Sequence, residues 1–202
     1  MSKIIQLAVC VAAFTLVGSL ANAQAVLSVD PTTQTTSTGN IVTVDVNISN
    51  VSDLYGYQFD LAFNPSVLQA ISSSEGPFLA TGGSTFFIPG TNDNLGGTVF
   101  ATADTLLTAV SGVSGSGELA VFTFDAVGPG TSAVTIQNET LLDSALNFIS
   151  DTATGGSVSV KSSTIAAPEI DPASATSALT LLLGGLAVVC GRRERLARSH
   201  AR

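Results

Sequence analysis

The sequence predicts an all-β domain, an antiparallel β-sandwich of about nine strands, on three observations. Between residues 24 and 161 the chain holds short segments rich in Val, Ile, Thr and Phe. Several of these segments alternate apolar and polar residues with a period of two, which is typical of strands with one buried face. Gly, Pro and Asn turns separate the segments, and no convincing helix lies between them.

Residues 57–63 form the clearest predicted strand. Its apolar face comprises Tyr57, Phe59, Leu61 and Phe63. The opposite face comprises Gln58, Asp60, Ala62 and Asn64. The strand ends at Asn64-Pro65, because Pro has no backbone N–H and Asn tolerates turn dihedrals. Val67, Leu68 and Ile71 are expected to begin the next buried segment.

The other predicted strands follow from the same pattern. In chain order they are residues 25–30, 41–49, 85–88, 98–103, 117–127, a segment around Val134 and Ile136, and residues 156–161. Residues 117–127 begin with apolar side chains on both faces, which indicates a central strand. The predicted connections are a loop at residues 32–40, a turn at 50–54, a hairpin loop at 91–97, and a linker at 104–116 with one helical turn through Leu106, Leu107 and Val110.

The N-terminus, residues 1–23, is typical of a secretory signal helix. Lys3 precedes an apolar run over residues 4–17, and the small residues Ala21 and Ala23 mark a cleavage site. A transmembrane anchor is the alternative, although the run is short for one. Residues 24–161 then form the sandwich domain.

The C-terminus holds a second processing segment. Residues 162–172 are a linker with a Pro168-Glu169 motif, and residues 173–202 are a transmembrane-type apolar helix followed by a basic tail containing Arg192, Arg193 and Arg195. This order predicts transient membrane insertion with the arginines on the cytoplasmic side. It resembles a variant PEP-CTERM sorting signal, in which Ile170 stands at the second Pro. The resemblance implies cleavage by an exosortase-type protease and secretion to the cell surface of a Gram-negative bacterium, with a plain C-terminal anchor as the alternative.

The charge pattern of the middle domain narrows its partners. Residues 24–160 contain no Lys or Arg and twelve acidic residues: Asp30, Asp45, Asp53, Asp60, Glu75, Asp93, Asp104, Glu118, Asp125, Glu139, Asp143 and Asp151. Nucleic-acid binding is excluded because nothing would neutralise phosphate. A basic partner, a bound Ca²⁺ ion and a merely solubilising surface all remain open. Oxygen ligands for Ca²⁺ occur at Asn92, Asp93 and Asn94, and no other cofactor is expected.

The residue types predict a protein that is not an enzyme. The single His, His200, lies in the basic tail, and residues 24–160 contain no Lys or Arg to activate a Ser or Thr nucleophile. Paired carboxylates acting on a glycan are the remaining enzyme alternative. Cys10 and Cys190 flank the domain, so it can form no internal disulfide. Without Trp, a stacking platform for crystalline cellulose is disfavoured, and weaker polysaccharide contact stays open.

The order of motifs in residues 24–161 resembles that of cohesin modules. The motifs are Val-Thr-Val-Asp-Val at residues 42–46, the corner Phe-Asn-Pro-Ser-Val-Leu at 63–68, Gly-Glu-Leu-Ala-Val-Phe-Thr-Phe at 117–124 and Gly-Ser-Val-Ser-Val at 156–160. Phe63 and Asn64 replace the family's usual Tyr and Asp. The resemblance implies a nine-stranded jelly roll related to carbohydrate-binding modules. It also implies an adhesive role in which one flat sheet binds a dockerin-like protein.

The resemblance further implies a partner-binding face made of outward side chains from the central strand and its neighbour. These positions are Gly56, Gln58, Asp60, Ala62, Thr98, Phe100 and Thr102. Gly56, Gln58 and Ala103 depart from the residues found in tight dockerin binders. The expected function is therefore a secreted, surface-sorted, non-catalytic adhesion module that binds a dockerin-like protein or an extracellular polysaccharide. The alternative is a structural protein of an extracellular polysaccharide or biofilm matrix without a specific protein partner.

Overall fold

A computed structural model of the protein describes residues 24–163 together with Thr180 and Leu181. The elements are β1 (Ala25–Asp30), β2 (Thr33–Ser37), β3 (Ile41–Ala62), β4 (Leu68–Glu75), α1 (Pro77–Ala80), β5 (Thr91–Asp93), β6 (Thr98–Thr105), β7 (Val113–Ala126), β8 (Gly130–Asp143), β9 (Asp151–Thr154) and β10 (Gly156–Lys161). Thr180 and Leu181 are helical and belong to a separate unit that begins at Ser163.

The two expected terminal helices, in residues 1–23 and 173–202, lie outside the described residues apart from Thr180 and Leu181. In the part of the chain that the structure describes, no helix is long and apolar enough to cross a membrane.

The strands form two layers that share the long strand β3. The first layer has the order β4-β7-β3-β1-β9 and uses the N-terminal half of β3. The second has the order β5-β6-β3-β8-β10-β2 and uses its C-terminal half. All pairs are antiparallel except β1 with β9 and β10 with β2. The predicted all-β sandwich is thus confirmed, and the described residues form ten strands rather than about nine.

β3 changes layer at residues 50–54, where the sequence predicted a turn. The segment stays extended, but Asn50 and Asp53 adopt φ values of 57° and 59° and the register shifts three times between Ile48 and Gly56. Asn and Asp tolerate this left-handed conformation better than other non-glycine residues. The Asp53 carboxylate fixes the bend, because it accepts hydrogen bonds from Gly112 N (2.6 Å) and Ser144 Oγ (2.6 Å).

The core lies between the two layers and is built as the alternation predicted. The aromatic and aliphatic face of β3 is buried: Val42, Val44, Val46, Ile48, Tyr57, Phe59 and Leu61, followed by Phe63. Two ring contacts cross the core, from Phe59 to Phe122 (centroids 6.0 Å apart) and from Phe63 to Phe124 (5.2 Å). Such edge-on or tilted pairs add about 1 kcal/mol each to the burial of apolar area.

Besides the turn at residues 50–54, four details of the strand prediction are wrong. Residues 33–37, expected as loop, form β2, an edge strand that pairs with β10. Residues 85–88, expected as a strand, make only isolated bridges at Thr85 and Ile88. Residues 106–110 contain no helical turn. Ile71 is half exposed rather than buried, because the β4–β7 register shifts between Ala70 and Ser72.

Candidate functional site

The outer face of the second layer is a flat surface formed by β6, β3 and β8. The pairing of β3 with β6 and with β8 places the outward residues in rows across the three strands. Gly56 lies between Thr105 and Leu142, Gln58 between Ala103 and Thr140, and Ala62 between Thr98 and Thr135. These rows contain four of the seven residues expected on the partner-binding face, namely Gly56, Gln58, Ala62 and Thr98, and Phe100 belongs to a bulge beside them.

Two β-bulges flank Asp60 at the centre of this face. Ala101 on β6 and Asn138 on β8 have φ values of 55° and 51°, and the pairing with β3 shifts at both places. Asp60 Oδ1 accepts a hydrogen bond from Ala101 N (2.7 Å), and its Oδ2 accepts one from Asn138 Nδ2 (2.7 Å). Asp60 is therefore only 8% exposed although its backbone places it on the outer face. Its role here is to hold the two bulges, and little of its charge faces solvent.

The bulge at Ala101 also overturns one expected site residue. It adds a residue to β6, so the alternation reverses after Phe100. Thr102 pairs with Phe59, points inward and is fully buried, and the expectation that it faces a partner is wrong. Ala103 takes the outward position instead. Phe100 is exposed and Thr98 is half-buried, as befits outward positions.

One end of the face carries an apolar cavity of about 220 Å³. Gly56 forms part of its floor, where the absence of a side chain leaves a depression. A Cβ atom at this position would lie 3.2 Å from both Asp104 O and Thr105 Oγ1. The walls are apolar side chains from both flanks: Phe86, Ile88, Leu142 and Leu146. Gln58 and Thr140 supply polar groups at its edge.

Exposed apolar side chains cluster around this cavity. Phe86 and Ile88 come from the segment before β5, which bridges to β6 in the fold, whereas Leu146 and Phe148 come from the loop after β8. All four are more than 40% exposed, with Phe148 at 81%. An exposed apolar patch of this kind beside polar residues is typical of an interaction surface.

The loop that presents Leu146 is fixed by two carboxylates. Asp143 accepts hydrogen bonds from Ala145 N, Asn147 N and Asn147 Nδ2, at 2.8–3.0 Å. Asp53 joins this loop to the β3 bend through Ser144. Hydrogen bonds lower the pKa of Asp143, and the largest contribution comes from the Asn147 side chain. Hydrogen bonds likewise lower the pKa of Asp53, chiefly the one from the Ser144 side chain. The loop is therefore pre-organised by ionised acids at neutral pH.

The residues suggested for Ca²⁺ serve to fasten the β5–β6 turn to β4. Asn94 Oδ1 accepts a hydrogen bond from Ala70 N (2.7 Å), and Asn92 Nδ2 donates to Ile71 O (3.2 Å). Asp93 Oδ1 accepts from the backbone N–H groups of the turn itself. Within residues 24–163 and 180–181 no three His, Cys, Asp or Glu side chains are grouped to hold a metal. Calcium binding at this turn stays a prediction.

The apolar walls of the cavity are the functional residues that sequence reasoning missed. Phe86 and Ile88 lie in a segment that resembles a short buried strand, and Leu146 lies in a loop. Large apolar residues among Gly, Ser and Asn are the signal that could have found them. The residues expected for sorting and processing lie outside the described residues: Ala21, Ala23, Pro168, Glu169, Arg192, Arg193 and Arg195.

Comparisons with known proteins agree with this architecture. The family model "Cohesin domain" matches residues 18–160. A search of curated protein sequences gave no match. Solved structures with a similar fold include a non-cellulosomal cohesin from the archaeon Archaeoglobus fulgidus, with a TM-score of 0.54 and 16% identity over 70% of this chain and 94% of that one.

Two further similar structures are of complexes. The sixth cohesin of Acetivibrio cellulolyticus scaffoldin B, solved with a Cel5 dockerin mutant, has a TM-score of 0.54 and 21% identity, over 68% of this chain and 99% of that one. A Clostridium thermocellum type I cohesin–dockerin complex, Coh-OlpA-Doc918, has a TM-score of 0.56 and 14% identity, with the same coverage. At these identities the likeness shows the fold.

Proposed function

The chain belongs to the cohesin family, and from that premise we propose that it is a non-catalytic module that binds a dockerin-like protein. The observation that carries the proposal is the apolar cavity at one end of the outer β6-β3-β8 face. A cavity of about 220 Å³ has room for one or two apolar side chains of a partner. The flat, polar remainder of the face offers Gln58 and Thr140 for hydrogen bonds around that anchor.

The charge of the domain favours a basic partner. Lys161 is the only basic residue among residues 24–163, against twelve acids. Glu139 lies on β8, and Asp53 and Asp143 hold the loop that presents Leu146. A partner segment with an apolar side chain flanked by Lys or Arg would complement this pattern and associate faster at low salt.

Binding at this face is tested with a cross-linking amino acid placed at Gln58 of the full-length chain. The cross-linked species from the producing organism's secreted fraction are identified by mass spectrometry, and the same amino acid at Thr43 serves as control. Thr43 is exposed on β3 where β3 belongs to the other layer. A dockerin-like protein joined at Gln58 and not at Thr43 is expected.

The partner's affinity is then measured by calorimetry for two matched charge variants. Ile88→Asp puts a carboxylate into the cavity wall and is expected to weaken binding by at least about tenfold, as loss of an apolar anchor does. Thr43→Asp adds the same charge to the other layer and is expected to change affinity by less than about twofold. Equal affinities for the two variants would refute binding at this face.

We further propose that the protein is secreted and sorted to the cell surface through its C-terminal segment, by an exosortase-type protease. The support is the sequence of the two termini: an apolar run before Ala21 and Ala23, and Pro168-Glu169 ahead of an apolar segment and arginines. Mass spectrometry of the mature protein from cells tests both cleavages. A protein that keeps residues 1–23, or that keeps its arginines, would contradict the corresponding cleavage.

A polysaccharide-matrix role is the second candidate, and the acidic, lysine-poor surface favours it. Polyanionic surfaces can be bridged to anionic polysaccharide by divalent cations. This role predicts no specific cross-link at Gln58 and a loss of matrix cohesion when the gene is deleted.

A further inference from the structure

Behind the cavity, a buried acid of one layer lies next to a half-buried acid of the other. Asp104 on β6 pairs with Tyr57 on β3 and points inward, where it is only 2% exposed. Its Oδ1 accepts a hydrogen bond from Thr105 N (2.8 Å). Its Oδ2 is buried and receives no hydrogen bond from any donor in the part of the chain that the structure describes. An ionised carboxylate left in this state would be strongly destabilising.

The group that faces Asp104 is a second acid. Glu75 ends β4, in the other layer, and its Oε1 accepts a hydrogen bond from Thr85 Oγ1 (2.6 Å). Burial first, and then the charge of Glu75, raises the pKa of Asp104 to about 7. Two carboxyl groups that share one site cannot both ionise easily, so one of them keeps its proton to an unusually high pH.

Among residues 24–163, none of the elements around the pair supplies a positive charge. β3 contributes Tyr57, whose hydroxyl donates to Leu119 O (2.6 Å) and so is not free to donate to Asp104. The titratable side chains of β7 are both acids, and α1 and residues 84–90 have no titratable side chain. The only base of residues 24–163, Lys161, ends β10, where it pairs with the edge strand β2.

We propose that the Asp104 carboxyl keeps its proton in mildly acidic solution, donates it in a hydrogen bond to the Glu75 carboxylate, and acts as a pH-sensitive switch for the cavity in front of it. The cavity is lined by Asp104 and by both of its neighbours, Ala103 and Thr105. When the proton leaves to water, two carboxylates face each other without a counter-charge. Asp104 then moves towards water through the cavity that it borders, and β6 moves with it. Docking is therefore tighter in mildly acidic than in alkaline solution.

The direction of the pH effect follows from the raised pKa. In the unfolded chain an Asp titrates near pH 4. The folded state holds the proton up to about pH 7. The stabilisation of the folded state by the retained Asp104 proton is thus complete below about pH 4, declines as the pH rises to about 7, and is absent above that value. The change at the cavity accompanies the loss of the proton itself, near neutrality.

The proton is tested by a ¹³C carboxyl NMR titration of the full-length chain. One carboxyl resonance is expected to titrate near pH 7, together with the amide signals of Ala103 and Thr105 and the methyl signals of Ile88. In Asp104→Asn, an isostere of the protonated acid, all four of these titrations should disappear. Asp125→Asn, which removes an acid from β7, should leave them in place. Glu75→Gln is the second variant and should shift the Asp104 midpoint to lower pH.

Three outcomes would overturn the switch. All carboxyl resonances of the wild type could titrate below about pH 5.5, which would leave no retained proton. The Asp104 signal could titrate while Ala103, Thr105 and Ile88 stay unchanged, which would disconnect the proton from the cavity. Added calcium chloride could lower the Asp104 midpoint by about one unit or more, which would mean that the pair holds a divalent cation in place of the proton.

The effect on docking rests on the proposed function, whereas the NMR titration does not need a partner. Affinity for the partner cross-linked at Gln58 is expected to fall by about tenfold between pH 6 and pH 8.5 in the wild type and to stay constant in Asp104→Asn. If Asp104 titrates near pH 7 as expected but no partner is cross-linked at Gln58, only the proposed function is refuted. A confirmed partner whose affinity does not follow the Asp104 titration would refute the switch alone.

Discussion

Replacement of Asp60 tests whether one carboxylate holds both bulges of the outer face. Asp60→Ala removes the hydrogen bonds from Ala101 N and Asn138 Nδ2, each 2.7 Å long, at a site that is 8% exposed. Hydrogen bonds to charged groups contribute about 1.5–3 kcal/mol each, and nearby water recovers part of the loss. The expected loss in the free energy of unfolding is therefore about 3 kcal/mol. Asp60→Asn keeps an acceptor for Ala101 and is expected to lose about 1 kcal/mol.

Urea unfolding followed by far-ultraviolet circular dichroism measures the effect, because the chain has no Trp to report by fluorescence. Gln58→Ala is the matched control. Gln58 lies two residues earlier on the same strand, is exposed, and makes no side-chain hydrogen bond within residues 24–163. Its replacement should change stability by less than about 0.5 kcal/mol. If Asp60→Ala were as stable as Gln58→Ala, the bulges would be held by the backbone alone and the reasoning would fail.

Two further predictions concern the core and the β3 bend. Phe122→Ala, at a site that is 1% exposed, should lower the free energy of unfolding by about 3–5 kcal/mol in the same urea assay, whereas Ile41→Ala, at an exposed site, should cost under about 1 kcal/mol. Asp53 has a lowered pKa, so its stabilisation is present above about pH 4 and is lost as the pH falls through its folded pKa. The urea midpoint of the wild type should therefore fall on acidification below about pH 4, and Asp53→Asn should fall less; an equal fall would remove Asp53 as a cause.

The sequence predicted the parts of the fold that depend on local alternation. The buried face of β3 could be identified from Tyr57, Phe59 and Leu61 because a strand with one buried face repeats every two residues. The corner at Asn64-Pro65 could be identified because Pro has no backbone N–H and so ends a strand. In the structure, Val67 N and Leu68 N donate hydrogen bonds to Asn64 O at this corner.

The parts that could not be predicted depend on contacts between distant residues. The bulge at Ala101 reverses the alternation of β6, and nothing in the β6 sequence marks it, because its stabilising group is Asp60, 41 residues away. Thr102 was therefore placed on the wrong face. The edge strand β2 is Thr- and Ser-rich and becomes a strand only through its parallel pairing with β10. The cavity likewise depends on two segments far apart in sequence, one with Phe86 and Ile88 and one with Leu146, which flank it only in the folded chain.

The acids of this domain show how a fold with one base among residues 24–163 can accommodate twelve acidic side chains. Three of its carboxylates are held by hydrogen bonds that fix the backbone around them. Asp60 holds two bulges, Asp53 holds the bend of β3 to Ser144, and Asp143 closes a loop through Asn147. Each accepts from neutral donors, which leaves its negative charge uncompensated and adds to the field that a basic partner meets. Asp104 differs from these three, since its Oδ2, like that of Asp151, has no donor among the described residues, and a retained proton is what makes its burial compatible with the rest of the core.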